Sequence, residues 1–160
     1  MPGIYWGVNP LRLDSQLCFS LYAASRAMTA AYSSLLEPLG LTYPQYLVVM
    51  VLWETDRISV KDIGDRLQLD SGTLTPLIKK LEAQGVVTRA RDDQDARVVR
   101  VTLTRTGRAL ERKAQGIPHA LVCKFGMDLP AVARLRKELT ALTQTLREAN
   151  AEESSKEESP

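Results

Sequence analysis

The chain has 160 residues, 44% of them hydrophobic and 25% charged, with a formal net charge of +2. That balance suits one globular domain with a real core and excludes a disordered, collagenous or disulfide-scaffold chain. No run approaches the ~18 consecutive apolar residues of a membrane span. The opening MPGIYWGVNPLRL has neither a basic leader nor a small-residue cleavage site, so a cytoplasmic chain without a membrane partner is expected.

Residues 1–13 read as an irregular arm whose Tyr5, Trp6 and Leu11 can pack on a partner chain. Asp14 is expected to cap a long first helix, DSQLCFSLYAASRAMTAAYSSLLEPLG, that ends near Gly40. Leu17, Leu21, Ala24, Met28, Ala31 and Leu35 form one strip of it, most simply core. Cys18, Tyr22, Ser25, Thr29, Tyr32 and Leu36 form a second, too polar for an ordinary core face. Thr42 and Gln45 make a capping box for the next helix, with Pro44 tolerated in its first turn. Its run YPQYLVVMVLWE is almost continuously apolar and should be buried on most sides, Trp53 included.

The stretch from Ser59 to Leu103 is the working part. Ser59 and Asp62 form a capping-box-like start, and Ile63 and Leu67 point one way. Asp70 or Ser71 caps a second helix running to about Gln84, with Gly85 as its stop. Leu74, Leu77, Ile78 and Leu81 make its inward stripe, and the opposite face carries small hydroxyls and cations. After Gly85 the period changes to two, with Val87, Arg89 and Arg91 on one strand and Val99, Val101 and Leu103 on another. The DDQDAR between them has a turn composition.

Two helices followed by a basic hairpin fit a winged helix-turn-helix over 55–105, whose second helix can enter a major groove. They also fit a plain helical hairpin with a solvated face. On the DNA-binding reading the contacting residues are Ser71, Thr73, Thr75, Pro76, Lys79 and Lys80, with Arg89, Arg91, Asp95 and Arg97 from the hairpin. Residues 86–105 hold five arginines against three aspartates, a local +2 that suits phosphate contacts.

Thr104 starts another helix, TRTGRALERKAQ, which Gly116 and Pro118 should kink or break. Asp128 and Pro130 begin a last helix, along which Leu129, Val132, Leu135, Leu139, Leu142 and Leu146 recur at helical spacing. Residues 147–160 hold five glutamates against Arg147 and Lys156, and 151–160 read as a disordered acidic tail.

The fold class is therefore mainly α with a small β-wing. A single domain is expected over 1–150, in which the helices of 14–40 and 106–150 form a dimerisation region. Those helices carry more apolar surface than the winged unit needs, so a homodimer is expected. Its two-fold axis would set two recognition helices ~34 Å apart on a palindromic operator in double-stranded DNA.

Cys18 and Cys123 lie 105 residues apart and the chain has one histidine, His119, so neither a metal site nor a cofactor is expected. Cys18 sits near a helix start, where a thiolate is favoured and open to oxidation. Equally, among Leu17, Phe19 and Leu21 it reads as a small buried hydrophobe.

The segments DSGTLTPLIKKLEAQGVVTR and RDDQDARVVRVTLTRTG resemble the winged-helix core of the MarR family of bacterial regulators. LDSQLCFSLYAASRAMTAAY and LLEPLGLTYPQYLVVMVLWE resemble, more narrowly, its organic hydroperoxide resistance regulators. The resemblance implies that Cys18 is a redox sensor hydrogen-bonded by Tyr32 and Tyr43, with Tyr22 a weaker member of the pocket. It implies that Cys123 is the second cysteine of a two-cysteine sensor, closing an intersubunit disulfide with Cys18. It also implies that Arg97 meets DNA, whereas the residues alone suggest only a loop-shaping Asp95–Arg97 salt bridge.

Fourteen residues at 1.5 Å each put Cys18 and Tyr32 about 21 Å apart on one helix, so any contact must come from the other subunit. The function implied is a repressor that leaves its operator when organic hydroperoxide oxidises Cys18. The alternative is a MarR-type repressor released by a small aromatic ligand, with Cys18 idle. An enzyme is not expected, because no basic residue is positioned close beside Cys18 in sequence, and Arg26 along the helix is two turns away.

Overall fold

A computed structural model describes Asn9 and residues 11–157, with side chains through Glu153. Tyr5 and Trp6 lie outside the described residues, and Leu11 is exposed. Two compact units compose the chain, 1–117 and 118–160, where the sequence suggests a single domain over 1–150. The division falls where Gly116 and Pro118 interrupt the helical run.

In the first unit, α1 (Leu17–Leu36) follows a short turn of 3-10 helix, Leu13–Ser15. Asp14 does not cap α1. It belongs to that turn and pairs with Arg12 at 2.8 Å, while extended Gln16 occupies the cap position. The Arg12 guanidinium holds the Asp14 carboxyl below its ordinary range.

The expected core strip of α1 is also corrected. Leu17 is 63% exposed and Met28 40%; only the C-terminal end, with Tyr32, Leu35 and Leu36, packs on the core. Among the described residues of the first unit, the core meets only that end of the helix, so a pattern that means burial is unmet there.

Helix α2 (Tyr43–Glu54) is the centre of the core, with Val48, Val49 and Leu52 fully buried. Gln45 is its buried polar residue. Its Oε1 accepts from the Thr42 amide (2.9 Å) and hydroxyl (3.1 Å), and its Nε2 donates to Gln84 Oε1 (3.2 Å). Gln84 in turn donates to the Gly40 carbonyl (3.1 Å), so a ring of amides ties the start of α2 to the residue ending the recognition helix.

A two-residue strand, β1 (Ile58–Ser59), leads into α3 (Val60–Leu67), whose capping box of Ser59 and Asp62 is formed. Then come α4 (Ser71–Ala83), β2 (Val87–Arg91) and β3 (Val99–Leu103). The sheet is antiparallel with order β1-β3-β2; Arg89 faces Val101 on one side and Ile58 faces it on the other. β1 has no sequence signature, since two residues cannot show a period.

Leu74, Ile78 and Leu81 of α4, Ile63 of α3 and Val87 and Val101 of the sheet close the core against α2. Helix α5 (Arg105–Ala114), capped by the Thr104 hydroxyl accepting from the Gly107 amide (3.1 Å), completes it.

Gly107 sits where two backbones meet. Its carbonyl accepts from Trp53 Nε1 (3.0 Å), and a Cβ on it would lie 2.3 Å from the Val86 carbonyl oxygen. Backbone cannot yield as a side chain does, so Gly107→Ala is expected to destabilise by about 1–3 kcal/mol. Thermal unfolding should show a midpoint several degrees lower.

The second unit comprises α6 (Ile117–Phe125), which begins one residue before the boundary, and α7 (Leu129–Glu157). Asp128 starts α7 by accepting from the Ala131 amide (2.8 Å). Leu129, Leu135, Leu139 and Leu146 are exposed. The disorder expected over 151–160 is corrected for 151–157, which continue the helix. Extending an existing helix needs no new nucleus, and alanine and glutamate favour it.

Candidate nucleic-acid interface and thiol sites

The recognition helix α4 starts on Asp70, whose carboxylate accepts from the Thr73 amide (2.9 Å) and hydroxyl (2.8 Å). Those bonds hold the Asp70 carboxyl below the usual aspartate range. A depressed folded value means that the cap stabilises the protein above the ordinary aspartate pKa, and that this is lost as pH falls through the depressed one. Asp70→Asn should flatten this acid limb of the unfolding midpoint against pH.

With Leu74, Ile78 and Leu81 turned inward, Ser71, Thr73, Pro76, Lys79 and Lys80 are exposed and Thr75 is half-buried. The small-hydroxyl face thus points outward as its period requires, with the Thr73 hydroxyl held by the cap. Pro76 lies inside the helix, on its outer side.

The wing arginines divide in two. Arg89 turns onto α4, where its Nε donates to Glu82 Oε2 (2.8 Å) and its amide to Oε1 (3.3 Å). Arg100 pairs with Asp92 and donates to the Arg57 carbonyl (3.1 Å). These two brace the hairpin. Arg91 is exposed, and the Arg97 side chain is 92% exposed at the loop tip while forked onto Asp95 (3.0 and 3.1 Å).

The Asp95–Arg97 bridge therefore shapes the loop and leaves the guanidinium outside. Between wing and α4 lies a groove of about 380 Å³ whose lining includes Lys61, Thr75, Arg89 and Arg97. Lys61 escaped the sequence reading because α3 was taken only as support; its position opposite Ile63 and Leu67 was the available signal.

Cys18 is the second residue of α1 and is exposed, as is Cys123 on α6; both are free thiols. Tyr32 and Tyr43 come together, stacked with ring centroids 4.5 Å apart, and Tyr46 lies 5.9 Å from Tyr32. Burial, and then the neighbouring phenols, push Tyr32 up to about 12, and burial also raises Tyr43. All three phenols stay protonated near neutrality and can donate.

Tyr22 stands apart from this pair. It is exposed under the Arg26 guanidinium, which donates to its hydroxyl at 3.1 Å. Because α1 is unbroken from Leu17 to Leu36, Cys18 and Tyr32 of one chain are about 21 Å apart and cannot touch.

The family model for the SarA/Rot transcriptional regulators matches residues 30–114, more than half the chain. The chain belongs to this family of MarR-type winged-helix regulators. It is 44% identical over 140 residues to the organic hydroperoxide resistance transcriptional regulator of Bacillus subtilis, covering 88% of this chain and 95% of that one. It is 52% identical over 138 residues to the regulator TtmR of Methylorubrum extorquens, covering 86% of this chain and 71% of that one.

Reduced AbfR bound to DNA superposes with a TM-score of 0.76 at 35% identity, over 87% of this chain and 95% of that one. The same regulator, from Staphylococcus epidermidis, has a disulfide-formed structure that matches with a TM-score of 0.60 at 36% identity, over 83% and 93%. These relatives are regulators and not enzymes. This MarR-type protein is accordingly a transcriptional regulator, and solved structures similar to it are regulators bound to DNA. Among the described residues no single helix is long and apolar enough to cross a membrane.

Proposed function

We propose that this regulator is a homodimeric, cytoplasmic repressor that binds a palindromic operator when reduced and leaves it when an organic hydroperoxide oxidises Cys18. One observation carries the reading. A pair of protonated phenols, Tyr32 of α1 and Tyr43 of α2, is stacked at the far end of the helix that carries an exposed thiol, with Tyr32 about 21 Å from that thiol. Two copies with α1 antiparallel would bring each thiol to the other's phenols, and would cover the exposed apolar residues of α1.

The oxidised Cys18 then condenses with Cys123 of the partner subunit. The names of two relatives, a hydroperoxide resistance regulator and a regulator with a disulfide-formed state, support the chemistry. Recognition-helix groups from Ser71 to Lys80 supply specificity, and the outward arginines supply phosphate contacts.

Non-reducing electrophoresis after one equivalent of organic hydroperoxide tests this. A covalent dimer is expected in the parent and not in Cys123→Ser. Light scattering should give two chains per particle before oxidation.

The second reading, release by a small aromatic ligand, is favoured by an open groove of about 1280 Å³ whose lining includes Arg26, Thr29, Ser33, Tyr43 and Lys80. It requires that an aromatic acid release Cys18→Ser from DNA as readily as it releases the parent.

A further inference from the structure

On α6 the Nδ1 of His119 lies 4.0 Å from the sulfur of Cys123. The two residues are four apart, so they share one helix face, and side chains on a helix lean toward its N-terminus, which tips the sulfur onto the ring. Both are exposed, so a sulfur from another chain can reach the pair. A thiol attacks a sulfenic acid only as its thiolate, and neutral imidazole is the side chain best suited to take a proton near neutral pH.

We propose that His119 is the proton acceptor for Cys123 when Cys123 closes the disulfide, an inference that rests on the redox reading above. The hydroperoxide ROOH converts the Cys18 thiol to the sulfenic acid and leaves as ROH. The Cys123 proton then passes to His119 Nδ1. The Cys123 sulfur attacks the sulfenic sulfur of the partner's Cys18, the S–S bond forms and the S–O bond breaks. The departing hydroxide takes the proton back from His119 and leaves as water. The sequence shows the i, i+4 spacing but assigns the histidine no such task.

The test begins in full-length Cys18→Ser, where Cys123 is the only thiol. Iodoacetamide should alkylate Cys123 about tenfold more slowly when His119→Ala is added. Added imidazole should restore the rate, and His119→Asn, which keeps a polar group but takes no proton, should be as slow as alanine. Alkylation of His119→Ala at the parent rate, or slow alkylation that imidazole does not restore, would overturn the proposal.

With Cys18 present, His119→Ala should accumulate dimedone-trappable sulfenic acid and form the disulfide about tenfold more slowly. Should the unsubstituted chain form no disulfide while the alkylation difference holds, the covalent-dimer reading fails and the pairing of His119 with Cys123 stands.

Discussion

Cys18→Ser is expected to stay on its operator at a hydroperoxide concentration that releases the parent completely. Serine keeps the size and exposure of the residue at the start of α1 but has no sulfur to oxidise, so DNA binding before peroxide should be unchanged. The difference appears only after it, as a loss of about a thousandfold in the parent's operator affinity, the gap between specific and non-specific binding. The sequence-independent phosphate contribution should persist, because oxidation changes no charge on the wing.

Tyr32→Phe and Tyr43→Phe should bind DNA as the parent does but be oxidised about tenfold more slowly, since a hydrogen bond to a charged group contributes ~1.5–3 kcal/mol. Fluorescence anisotropy of a labelled operator, titrated with hydroperoxide, reads all three variants. Release of Cys18→Ser at the parent's peroxide concentration would end the redox account.

Replacing both outward wing arginines, Arg91→Ala with Arg97→Ala, should weaken binding tenfold to a hundredfold at about 0.15 M salt and reduce the slope of log affinity against log salt by about 2. Both side chains are exposed, so the double variant should unfold at the parent's temperature. Arg89→Ala should do the reverse. It leaves Glu82 without its guanidinium and loosens the wing from α4, lowering the unfolding midpoint more than the salt slope. An unchanged slope in the double variant would remove the wing from the phosphate backbone.

The helix starts at Ser59, Asp70 and Thr104 were legible because each has a side-chain acceptor where a backbone donor must be met, and each bond is formed. The stop at Gly85 was legible from its need for a positive φ, here 69°. Asp14 misled for the same reason that Asp70 did not: a carboxylate before a helix reads as a cap, yet Arg12 two residues away held it first.

The Leu17–Leu35 strip of α1 was read as core and is largely exposed, because period says which side wants burial and not whether one copy can provide it. In the wing, five arginines looked alike in composition. Only the reach of Glu82 and Asp92 separates the bracing arginines from those whose guanidinium stays outward. The phenol pair came from resemblance; stacking between residues on two helices leaves no local trace.

The amide ring of Gln45, Gln84 and Gly40 has a mechanical consequence. Tyr43 lies two residues before Gln45, and Gln84 directly follows the last residue of α4. A push on that phenol is therefore geared to α4 directly through two side-chain amides, without passing through α3.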